Sequence, residues 1–142
     1  MQNADSNQIL DKIIVQDPRF HREAYLFVRE GIDHAQRQIS KANKGAMRHL
    51  TGQELLVALK EYGLAQFGPL TATVLEEWGV KKSEDFGIIV FNMVDHGLLS
   101  KTDEDRLEHF KDGYDFDEVF RKPFLPRAAA DSPPKQAKES NV

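Results

Sequence analysis

Residues 51–110 read TGQELLVALKEYGLAQFGPLTATVLEEWGVKKSEDFGIIVFNMVDHGLLSKTDEDRLEHF, and the order of elements in this stretch decides the fold. Thr51-Gly52-Gln53-Glu54 has capping-box spacing: the Thr51 hydroxyl accepts from the backbone three residues on, and Glu54 reaches back to the Thr51 N–H. The helix that follows carries Leu55, Leu56, Leu59, Tyr62, Leu64 and Phe67, with charge only at Glu54, Lys60 and Glu61. So narrow a polar strip predicts a helix packed on most sides. Gly68 supplies a left-handed C-terminal residue and Pro69 the first position of a second, short helix, which stops at Trp78-Gly79-Val80. Ser83 is the expected N-cap of a third helix, with Glu84 and Asp85 at its positive end and a stop at Gly97. Residues 98–102 and 107–110, joined by the acidic turn Asp103-Glu104-Asp105-Arg106, then read as a small hairpin. The expected fold is mainly α with a small C-terminal β-hairpin: a winged-helix-like core at 51–110, preceded by two N-terminal helices.

Outward from this core, residues 6–16 form a short amphipathic helix with Ile9, Leu10, Ile13 and Ile14 as its apolar side. Asp17-Pro18 is read as an N-cap and first-turn proline opening a long helix from residue 18 to about 40. Phe20, Ala24, Phe27, Val28, Ile32, Ala35 and Ile39 fall within one half of its circumference. Arg19, Arg22, Arg29 and Arg37 share the other half with Glu23, Glu30 and Asp33. Three of these lie at i,i+4 pair spacing with an acid: Arg19/Glu23, Arg29/Asp33 and Asp33/Arg37. Residues 41–49 read as a basic, flexible connection. Tyr114, Phe116, Val119 and Phe120 are expected in one helical turn laid over the core. From residue 121 onward prolines and polar residues dominate, a composition that predicts a mobile tail. The organisation is therefore an N-terminal arm at 1–16, one α-rich domain at 17–120 and a tail at 121–142.

The 142 residues are 40% hydrophobic and 30% charged, ordinary for a soluble globular chain, and contain no cysteine. Disulfides, thiolate metal sites and thiol nucleophiles are thereby excluded. Neither a signal peptide nor an apolar run of membrane-spanning length is visible, so the cytoplasm is the expected location. The net charge of −4 hides an asymmetry: residues 1–50 carry +2, residues 51–120 carry −9 and residues 121–142 carry +3.

With these residues in view, the chain resembles a family of short uncharacterised proteins found in Verrucomicrobia and Planctomycetes. The likeness rests on Asp17-Pro18-Arg19-Phe20, Ala24-Tyr25, Phe27-Val28, His49 and Thr51-Gly52-Gln53-Glu54. It continues through Phe67-Gly68-Pro69, Trp78-Gly79-Val80, Glu84-Asp85-Phe86-Gly87, Val90-Phe91-Asn92, Gly97-Leu98-Leu99 and Gly113-Tyr114-Asp115-Phe116. It spans roughly residues 17–120, implies a single domain there, and carries no activity with it.

The chemistry-bearing residues point away from catalysis. The five histidines (His21, His34, His49, His96 and His109) make no H-x-x-x-H or H-E-x-x-H spacing. The acids from Asp112 to Glu118 lack the pattern of a calcium loop. No G-x-S-x-G, P-loop or G-x-G-x-x-G occurs. No catalytic residue, metal ligand or cofactor is expected, and an Asp95/His96 pair is the weakest of the functional readings.

The third helix is decisive. In a DNA-reading helix-turn-helix it lies in the major groove and presents basic and polar side chains. Here the outward set is Glu84, Asp85, Ile88, Asn92 and Asp95, without a cation. Phosphate neutralisation supplies much of the affinity for duplex DNA, so duplex DNA is disfavoured. An acidic rim around the apolar Ile88 suits an unknown protein partner. The expected function is a non-catalytic interaction module using those five residues. The alternative is an RNA- or ribonucleoprotein-associated protein using the basic face of residues 19–48: Arg22, Arg29, Arg37, Lys41, Lys44 and Arg48.

Overall fold

A computed structural model describes residues 2–42, 50–99, 110–111 and 113–125. They form five α-helices: α1 Gln2–Gln16, α2 Arg22–Ala42, α3 Gly52–Phe67, α4 Thr71–Glu77 and α5 Ser83–Asp95. A π-helical turn, Asp117–Arg121, and a 3-10 turn, Lys122–Phe124, close the described chain. Among the described residues there is no strand. Of the expected hairpin at residues 98–110, residues 100–109 lie outside the described residues, while Leu98 and Leu99 form a bend and Phe110 is in 3-10 conformation.

Helix α2 is central and packs against α1, α3 and α5. The hydrophobic stripe that selects a helix also supplies its core face: Ala24, Tyr25, Phe27, Val28 and Ala35 are buried, as is Phe20 just before the helix. Phe27 is the aromatic hub, its ring centroid 5.4 Å from Tyr62, 5.9 Å from Trp78, 6.1 Å from Phe67 and 6.3 Å from Phe86. Helix α1 joins the same core through Leu10 and Ile13, both fully buried. The C-terminal turn lays Phe116 and Phe120 over the far side, with Phe116 5.9 Å from Phe86 and 5.1 Å from Phe120. The Tyr114 hydroxyl donates to the Leu56 carbonyl at 2.8 Å, and burial holds its ionisation well above the usual tyrosine range.

Local signals set most element ends. The capping box is complete: Thr51 Oγ1 accepts from Glu54 N at 3.1 Å, and Glu54 Oε1 accepts from Thr51 N at 3.0 Å. Both glycine stops are paired C-terminal caps. Val80 N donates to Leu75 O and Gly79 N to Glu76 O; Leu98 N donates to Met93 O and Gly97 N to Val94 O. Gly79, at φ 91, is fixed twice over, because a Cβ there would lie 2.2 Å from the Arg19 carbonyl oxygen. That close approach seats the α4–α5 turn on the α1–α2 joint, where His21 N donates to Trp78 O at 2.9 Å.

Four expected starts are corrected. Helix α1 begins at Gln2, not at residue 6, and Pro69 opens a 3-10 turn, Gly68–Leu70, from which α4 starts at Thr71. The long helix begins at Arg22, not at residue 18. Asp17 ends α1, its N–H donating to Ile13 O, and then organises a turn in which its carboxylate accepts from Arg19 N, Nε and Nη2. His21 Nδ1 accepts from Glu23 N at 3.0 Å and serves where the aspartate was expected. Ser83 does not cap α5: its hydroxyl is buried, donates to Phe110 O at 2.6 Å and accepts from Gly113 N at 3.0 Å. The end of α5 is held by Asp85, whose Oδ2 accepts from Lys81 N at 2.9 Å and Lys82 N at 3.3 Å.

Candidate interaction surface

The five residues expected to face outward on α5 divide into two groups. Glu84 stands in the first turn with its side chain 30% exposed, 3.4 Å from the Lys82 ammonium, and Asp95 is exposed at the last turn. Asp85 is spent on the helix start. Ile88 is partly buried and packs on the core. Asn92 does not face solvent: Nδ2 donates to Asp17 Oδ2 at 2.9 Å and to the Tyr25 hydroxyl at 3.1 Å. The outward reading of Asn92 is corrected by the position of α1, which packs on α5. Its last residue, Gln16, meets His96 Nε2 at 3.1 Å, while His96 Nδ1 lies 2.8 Å from Asn92 O. Both ring nitrogens are thus engaged at the helix end, and Asp95 beside it is exposed.

The polar knot at the joint holds its groups away from their ordinary ionisation. The hydrogen bond from Arg19 holds the Asp17 carboxyl well below the usual carboxylate range; partial burial opposes this and the Asn92 amide adds to it. Burial pushes the Tyr25 hydroxyl up. Arg19 also lies 5.5 Å from the centroid of the Phe20 ring. Four polar side chains from two parts of the chain therefore satisfy one another in a half-buried site.

The basic face of α2 is dispersed. The Arg22 guanidinium pairs with Asp11 and donates to Asn7 O and Oδ1, clamping α1 to α2. Arg19 pairs with Asp17 rather than Glu23, because it lies before the helix. Neither Arg29/Asp33 nor Asp33/Arg37 reaches ion-pair distance among the described residues. Arg37 and Lys41 are exposed and Arg29 is half-buried, whereas Lys44 and Arg48 lie outside the described residues.

A shallow groove brings Arg19, Arg22 and Lys81 together, yet Glu76 and Glu77 line it as well. A second groove, at the start of α5, mixes Lys81, Lys82 and Arg121 with Glu76, Glu84, Asp115 and Asp117. There Arg121 makes two bonds of 2.9 Å to Glu76 and one of 2.8 Å to Asp117, and its hydrogen bond lowers the Glu76 carboxyl. These residues from 121 onward, placed in the tail by composition, are tied to α4 as far as Arg121. No three His, Asp or Glu side chains among the described residues converge to hold a metal ion. No described helix is long and apolar enough to cross a membrane.

Sequence reasoning overlooked Gln36, whose Oε1 is buried with no hydrogen-bond partner among the described residues. It lies one turn after Ile32 on the inward stripe of α2, and a polar side chain within an apolar stripe was the available signal.

Among the described residues the fold is all-α, with five helices and an acid-rich half. Comparison with protein-family models, with curated proteins and with solved structures finds no match.

Proposed function

We propose that this chain is a non-catalytic interaction module whose acid-rich half, built on α3, α4 and α5, meets a protein partner bearing basic side chains. The observation that supports this most directly is α5 itself. It carries Glu84, Asp85 and Asp95 and no cation, and its one amide, Asn92, is committed to Asp17 and Tyr25. A helix of that sign repels the phosphate backbone, and it offers no free amide to a base edge. The winged-helix-like reading belongs to the same proposal. It rests on the order α3, α4, α5 and the glycine stop before α5; the wing would occupy residues 98–110, of which 100–109 lie outside the described residues.

Charge reversal at the partly exposed Glu84 and the exposed Asp95, Glu84→Lys with Asp95→Lys, leaves the Asp85 cap and the Asn92 contacts in place. Affinity capture from native lysate, with nuclease treatment, is expected to recover a basic protein with the wild type and to lose it with the double variant. An unchanged partner set at unchanged stability contradicts the proposal.

A second reading keeps one supporting observation. Arg37 and Lys41 are exposed and enter no ion pair among the described residues. An RNA-associated role on this face requires retention on RNA that falls steeply with salt. Retention that ignores salt, or none at low salt, removes it.

A further inference from the structure

We draw no further inference here: the strongest candidate, the shallow groove between α2 and α3 lined by Ala35, Ile39, Val57 and Ala58, carries none, because nothing in the structure shows what covers it.

Discussion

Asn92 shows how much one side chain settles. Its amide bridges Asp17, at the α1–α2 joint, and Tyr25, at 0% exposure in the core of α2. Truncation to alanine leaves two partly buried polar atoms without that partner, so Asn92→Ala is expected to lower stability by about 1–3 kcal/mol in urea unfolding. A smaller loss would mean that water replaces the amide at no cost. Asp17 carries a pH signature. Its folded-state carboxyl is held below its ordinary value, so the unfolded chain binds that proton first as the pH drops. Its contribution is complete above about pH 4 and is lost as the pH falls below that. The urea midpoint of the wild type should therefore fall more steeply between about pH 4 and pH 2 than that of Asp17→Asn. Parallel curves would show that the carboxylate gains nothing in the fold.

Elements reveal what a single chain can and cannot disclose. The capping box at Thr51 and the stops at Gly79 and Gly97 were legible because each is a contract among neighbours in sequence. Ser83 and Pro18 were misread for the converse reason. The Ser83 hydroxyl is claimed by Phe110 O, 27 residues away, and Asp17 is claimed by its own turn and by Asn92, 75 residues away. Periodicity likewise told which residues leave the apolar arc of α5, but not that α1 would cover part of the remainder. Two expectations belong at this scale. Gly79→Ala must accommodate a Cβ 2.2 Å from the Arg19 oxygen at φ 91, and should cost more than about 2 kcal/mol in the same assay. Ser83→Ala should cost about 1–3 kcal/mol, because the Phe110 carbonyl and the Gly113 N–H lose one shared partner. Neutral behaviour at either position would mean that the α4–α5 turn or the Phe110 segment is free to move.

At the scale of the molecule, charge is the feature most readable from sequence and most consequential for function. Fifteen acids against six bases in residues 51–120 give that region its sign whatever the detail of its fold. The structure then sorts those described into acids that build the protein and acids left over. Glu54 and Asp85 cap helices, and Glu76 and Asp117 hold Arg121. Asp95 remains at the last turn of α5 and Glu84, paired only with Lys82 just before the helix, at the first, with no lysine or arginine on that helix between them. Fields of this kind steer basic proteins and turn nucleic acid away. The most direct test is photo-cross-linking from a benzophenone side chain placed at Asp95 in the full chain, in cells. The expected product is an adduct that protease removes and nuclease does not, and that Glu84→Lys diminishes. An adduct dissolved by nuclease, or an adduct indifferent to Glu84→Lys, contradicts docking on the acidic face of α5.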